Sequence, residues 1–318
     1  MATRHMILLV LAGMALLGAV AIWRAFDRDM HGIRTALDGR SAVIPTSLGP
    51  VERATGGAGL PVLVLHGAGG GHDQGALFAE AFLPPGYRWI APSRFGYLRS
   101  PLPADASTAA QADALAALLD AEGPDRVAVL AVSGGVPPAL QLAERHPDRV
   151  SALILVSSAP FSPYEAGDQG LPVPAWVYSV LFSSDFPIWL VRKLAPHALE
   201  GLFDIREDLK QGLSPADQEF ADAMVSAFLP VTQRLEGVRN EAAAIDPDAR
   251  YALSEVNAPA LIIHARDDGL NPFGIAERLD RELPDSRLVA LETGGHLLLG
   301  RHHRIREEVR AFMEEQVE

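Results

Sequence analysis

The sequence predicts an α/β fold, a mostly parallel sheet with flanking helices and an inserted helical segment, on the strength of three observations. Short apolar, β-branched runs alternate with helix-like stretches from residue 61 onward, the order that parallel strands with crossover helices require. Four of those runs end in loops that carry Gly, Ser, Asp or His, and open α/β sheets bind ligands at the carboxyl ends of their strands. Between Pro160 and Val256 the alternation stops, and helix-periodic segments broken by prolines replace it. A chain of 318 residues is long enough for one such domain with an insert.

In chain order, Met6 to Trp23 is an uninterrupted apolar run of 18 residues, with Arg4 and His5 before it and Arg24 after it. As a helix it spans roughly 27 Å, enough for a hydrocarbon core. It has no polar face, which argues against a buried core helix. Two readings stay open: an uncleaved transmembrane anchor (residues 1–24), or a signal segment cleaved after Ala19-Val20-Ala21. The basic residues Arg24 and Arg28 that follow at once favour the anchor. Export of the carboxyl-terminal domain to the periplasm or exterior is the common outcome for such a chain, and cleavage would give a secreted protein instead.

Residues 25–40 read as a polar connector or short helix, and Ser41 to Gly59 as one or two opening strands punctuated by Gly and Pro. The first part of the core, residues 41–160, continues with strands at Pro61–Leu65, Tyr87–Ala91, Val127–Val132 and Arg149–Val156. Helices are expected at Ala104–Glu122 and Val136–His146. The inserted segment, 161–256, has helical stretches at Pro174–Ser184, Pro187–Leu194, Pro215–Leu229 and Val231–Ile245, and is rich in aromatic residues. The second part of the core, 257–318, carries strands at Ala260–His264 and Arg287–Leu291 and a last helix in which His302 and His303 are expected to be solvated.

The strand Val127–Val132 runs into Ser133-Gly134-Gly135 and then a helix. A serine at a strand-to-helix turn, flanked by minimal residues, reads as a nucleophile elbow, because the turn brings backbone together where side chains would obstruct it. Ala131 stands where the usual pattern has glycine. Upstream, Pro61–Leu65 ends in His66-Gly67-Ala68-Gly69-Gly70-Gly71, a loop suited to lending a backbone N–H to an oxyanion hole. Ala260–His264 delivers Asp268, and Arg287–Leu291 leads through Glu292-Thr293-Gly294-Gly295 to His296.

This order of oxyanion loop, serine, acid and histidine resembles the α/β-hydrolase superfamily from about Gly49 to the carboxyl terminus, and the inserted segment resembles that superfamily's helical cap. The resemblance implies Ser133 as nucleophile, Asp268 as acid and His296 as base. The family's G-x-x-D-x-x-x-P acid stretch reads Ala265 to Pro272 here, so Asp267 is the less suitable acid. Gly134 and Ala68 would supply the oxyanion N–H groups, with Gly67 and Gly69 beside the substrate; in the cap, Arg234, Arg239 and Asn240 read either as solvated surface groups or as groups of which one, Arg239 or Asn240, meets a substrate carboxylate or carbonyl. Hydrolysis of carboxylic esters through an acyl-serine, with a small-molecule ester as partner and no cofactor, is the implied activity. Carbon–carbon bond hydrolysis of ring-fission products is the alternative, and it would need Arg192, Arg234 or Arg239 to face Ser133. A non-catalytic membrane-tethered binding protein of the same fold is a third.

The remaining composition narrows the class. A formal charge of −13 without a Lys/Arg cluster argues against nucleic acid. Zero cysteines exclude disulfides, thiolate metal sites and a cysteine nucleophile. Gly69-Gly70-Gly71 lacks the lysine and Ser/Thr of a nucleotide loop, and His72 with Asp73 lacks a third metal ligand. Nothing in the sequence speaks to oligomeric state.

Overall fold

The computed structural model describes residues 2–161, 183–244 and 251–316. Its sheet runs in the order β1-β2-β4-β3-β5-β6-β7-β8, with eight strands. These are β1 (Ala42–Thr46), β2 (Gly49–Gly57), β3 (Leu60–Leu65), β4 (Tyr87–Pro92), β5 (Val127–Val132), β6 (Val150–Val156), β7 (Ala260–Ala265) and β8 (Ser286–Leu291). β1 and β2 form the antiparallel edge, β2 meets β4 antiparallel, and every pairing from β4 to β8 is parallel. The central strands β5 and β7 are buried along their whole length, which is why they read as unbroken apolar runs.

Successive residues of each strand serve opposite faces. Val62, Val64, Leu130 and Ile154 join a core with Phe78 and Phe82 of α2 (His72–Phe82) and with Ile305 and Val309 of the last helix, His302–Glu315. Leu63, Leu65, Val129 and Leu153 join the opposite core. That side is covered by α3 (Thr108–Glu122), α4 (Val136–Arg145) and the helix Gly274–Glu282. α3 begins at Ser107, whose side chain accepts from Ala110 N–H, and ends on left-handed Gly123, so its bounds follow from local chemistry. α2 and Gly274–Glu282 are absent from the sequence reading because neither has a side-chain cap and their apolar faces are short.

At the amino terminus the apolar run and the connector form one helix, α1 (Ala2–Asp38). Its first half is exposed throughout, while Met30 is 1% exposed and Ala25, Phe26 and Ile33 pack on the sheet-side core. The packing partner is the cap helix α5 (Asp185–Leu194). Arg34 pairs with Asp185 at 2.7 Å, Lys193 with Asp29 at 2.9 Å, and the rings of Trp23, Phe26, Phe186 and Trp189 cluster. Residues 25–38 are thus a structural helix that docks the cap.

Within the cap, α6 (Pro215–Ser226) starts at Ser214, which caps Asp217 N–H, and α7 spans Leu235–Ala244 after the short turn Val231–Gln233. Most of the expected helix 174–184, with Trp176, Tyr178 and Phe182, lies outside the described residues. His302 differs from expectation. It is 5% exposed, with Nδ1 2.9 Å from Asp217 and its ring edge-on to Phe82 and Phe220, because the helix face it occupies packs on α2 and α6.

Candidate active site

β5 ends at Ser133, whose φ of 52° lies in the left-handed region that a non-glycine residue seldom occupies. The turn tolerates no bulk. A Cβ on Gly135 would stand 2.6 Å from the Leu65 carbonyl oxygen, and one on Gly67 would stand 3.2 Å from Ser133 Cβ. Ala131 is accepted two residues earlier because its methyl points into the fully buried core beside Leu65. Ser133 itself is 7% exposed, and its Oγ accepts a long hydrogen bond, 3.4 Å, from Asn271 Nδ2.

The acid and the histidine meet across two neighbouring strand ends. His296 Nδ1 stands 3.0 and 3.1 Å from the two carboxylate oxygens of Asp268. Asp268 Oδ1 also accepts the N–H groups of Leu270 and Asn271, and His264 Nε2 lies 3.3 Å from Oδ2. Burial works against the Asp268 charge, yet the attraction of His296 and these hydrogen bonds hold its carboxyl well below the usual carboxylate range. Burial likewise lowers His296, but Asp268, with a smaller contribution from Asp204, raises it above the ordinary imidazole value. Ser157, also at positive φ, donates its hydroxyl to the His296 carbonyl at 2.8 Å, and its own carbonyl accepts from Asn271 Nδ2 at 2.9 Å. Asn271 therefore ties the serine turn to the acid loop, with Ser157 as the link to the histidine loop.

The glycine loop is held from below and from the cap. His66 donates Nδ1–H to the Gly67 carbonyl at 2.7 Å and accepts Arg94 N–H on Nε2, so the ring is neutral; burial and the nearby Arg94 charge press its pKa well down. The buried Arg94 guanidinium donates to the carbonyls of His66 and Gly67, at 2.9 and 3.2 Å, and to Gln111. Gly69 N–H is spent on the Tyr97 hydroxyl and Gly70 N–H on the Gly67 carbonyl. Ala68 N is the loop donor that faces Gly134, 3.3 Å from where a Cβ on Gly134 would stand. Ala68 and Gly134, the two residues expected to supply the oxyanion N–H groups, are thus neighbours.

The cap reaches this corner too. Arg234, 1% exposed, donates to the Gly70 carbonyl and forms a two-pronged pair with Asp73, at 3.1 and 2.7 Å. Glu241 pairs with Arg94, and its carboxylate oxygens lie 3.2 Å from the Cβ position on Gly134. Neither contact was legible in the sequence, since each joins residues more than a hundred positions apart. Of the other cap residues considered for substrate, Arg239 is exposed and the Asn240 amide donates to the Ala106 carbonyl at 3.0 Å. Among the described residues no cluster of His, Cys, Asp or Glu is arranged to hold a metal.

Residues 61–302 match the family model of the alpha/beta hydrolase fold. The chain belongs to that family. A pimeloyl-[acyl-carrier protein] methyl ester esterase of Aromatoleum aromaticum is 31% identical over 248 residues, 74% of this chain and 90% of the relative. A 2-hydroxymuconate semialdehyde hydrolase of Pseudomonas putida is 30% identical over 249 residues, 76% of this chain and 82% of its own. Among solved structures, an alpha/beta hydrolase fold protein from Nakamurella multipartita superimposes with a TM-score of 0.73 at 27% identity, covering 85% of this chain and 98% of that one. This α/β-hydrolase is thus similar both to a methyl ester esterase and to a semialdehyde hydrolase.

Proposed function

We propose that this α/β-hydrolase is a membrane-anchored serine esterase that cleaves carboxylic esters through an acyl-serine intermediate. A serine hydroxyl is a poor nucleophile unless a base takes its proton and a third group orients that base. His296 fills the first role and Asp268 the second. With Nδ1–H turned to Asp268, the imidazole offers Nε2 to the Ser133 proton and later returns that proton to the leaving alcohol. Hydrogen bonds between a nucleophile and its base are shortest in the substrate complex, the state in which His296 takes the Ser133 proton. Negative charge that develops on the ester carbonyl falls between the N–H groups of Gly134 and Ala68. Losing one such donor costs on the order of 3 kcal/mol in the barrier. The observation that carries the reading is the buried Asp268–His296 pair beside a serine held at positive φ.

Glu241 favours an ester over a ring-fission product. An acidic substrate needs an uncommitted cation near Ser133, but among the described residues the two buried arginines of this corner are both paired, Arg94 with Glu241 and Arg234 with Asp73. For a neutral ester the Arg94 charge offsets Glu241. Purified full-length protein assayed on p-nitrophenyl esters of increasing chain length, with a ring-fission substrate alongside, is expected to turn over esters and leave the latter untouched. The reverse pattern would replace this reading, and failure of a fluorophosphonate to label the protein would favour the non-catalytic one.

The amino-terminal helix supplies the anchor: the span Thr3–Asp38 has a window of mean hydropathy 2.5 that is 0% buried. Full-length protein should pellet with membranes and resist carbonate extraction. Deletion through Ala21 should release a soluble, active domain. Deletion through Asp38 should lower its melting temperature, because Phe26, Met30 and Ile33 leave the core. Equal melting temperatures for the two truncations would contradict the packing role of α1. A mature amino terminus at Ile22, read by mass spectrometry, would replace the anchor with a cleaved signal segment.

A further inference from the structure

Asp204 stands in the cap, just after the turn Pro196–Phe203, at φ 56° and 8% exposed. Its Oδ2 accepts two backbone N–H groups: Gly269, the residue after the triad acid, at 2.8 Å, and His296, the triad base, at 3.0 Å. Two glycines make this approach possible. A Cβ on Gly269 would stand 2.5 Å from Asp204 Oδ1, and one on Gly295 would stand 2.8 Å from Oδ2.

The carboxylate is fixed in turn. Arg206 Nη1 donates to both Asp204 oxygens, at 2.7 and 2.9 Å, and to the Asp267 carbonyl, while its Nη2 reaches Asp267 Oδ2 at 2.7 Å. Asp267 Oδ1 then accepts Gly295 N–H at 3.0 Å. Asp204, Arg206 and Asp267 thus close a ring of charge-assisted hydrogen bonds through the cap, the acid loop and the histidine loop. Left-handed geometry at Asp204 is one that aspartate adopts more readily than most side chains.

We propose that Asp204 is a positioning residue for His296, so that a docked cap is required to hold the base loop against the acid loop. The proposal rests on the triad reading above. Asp204 does not touch substrate; it acts through the backbone of the histidine and through its charge. The charged groups that face His296 are Asp268 from the acid loop and Asp204 from the cap, with Asp267 and Arg206 behind them and His264 on the far side of Asp268. Burial lowers the His296 pKa and the two carboxylates raise it, so loss of the Asp204 charge lets the imidazole lose its proton at lower pH.

The test compares wild type, Asp204→Ala and Asp204→Asn as full-length protein in detergent. It measures ester turnover, melting temperature and the pH dependence of Ser133 modification by a fluorophosphonate. Asp204→Ala is expected to lower kcat about 100-fold with KM largely unchanged, the cost of a base displaced by about 1 Å. Asp204→Asn keeps an acceptor and should retain more activity, with the acid limb of its labelling profile moved to lower pH. A folded Asp204→Ala variant within about twofold of wild type in kcat overturns the positioning role. If alanine prevents folding, the asparagine variant decides: an unmoved acid limb overturns the proposal. Active wild type with indifferent Asp204 variants defeats this role alone, whereas wild type that neither labels at Ser133 nor hydrolyses esters defeats the triad reading and this role with it.

Discussion

Ser133→Ala removes ester hydrolysis while the fold and melting temperature stay close to wild type. The loss expected from deleting the nucleophile of such a triad is on the order of 10⁶-fold in kcat. Folding is spared because alanine keeps the Cβ that the elbow already accommodates at φ 52°, and the hydrogen bond given up among the described residues is the long one, 3.4 Å, from Asn271. Asn271 retains its shorter bond to the Ser157 carbonyl. Turnover and circular dichroism of the purified variant check this, and undiminished hydrolysis would remove Ser133 from the mechanism.

Asp268→Asn is the second large effect, expected to lower turnover by about 10⁴-fold, the loss that follows when the base adopts the wrong tautomer. An amide at this position still fits, but it cannot accept the His296 Nδ1 proton and the Leu270 and Asn271 N–H groups through charged oxygens. Asp267→Asn should have a small effect, since an amide oxygen can still accept Gly295 N–H and only the charge that faces Arg206 is lost. Kinetics of the two variants side by side decide the matter. If they exchanged behaviours, Asp267 would be the acid.

The elbow, the acid loop and the histidine loop were legible because each is a local event: a strand ends, and small or polar residues at fixed spacing must follow it. Pro272 after Asp268 and the glycines before His296 mark those loops without any knowledge of their partners. The contacts that couple the loops were not legible. Asp204 meets His296 across 92 positions and Arg94 meets Glu241 across most of the first core and the cap, so only the assembled sheet brings them together. The same holds for α1, whose apolar run announced a membrane helix while its second half, with Met30 and Phe26 spaced four apart, disclosed no partner until α5 docked on it. Arg239 and Asn240 left two readings open in the sequence, solvated groups or substrate contacts, because a polar residue near the end of a cap helix carries no signal of its partner; in the structure Arg239 is exposed and Asn240 bonds the Ala106 carbonyl.

The proposed function turns on an acyl-serine formed at Ser133. Rapid mixing with a p-nitrophenyl ester, acid quench and peptide mapping by mass spectrometry test it most directly. The expected result is a burst of nitrophenol matching the enzyme concentration and an acyl group on the peptide containing Ser133, both absent from Ser133→Ala. Steady hydrolysis with no acyl group on Ser133, or with the acyl group on another residue, would contradict it.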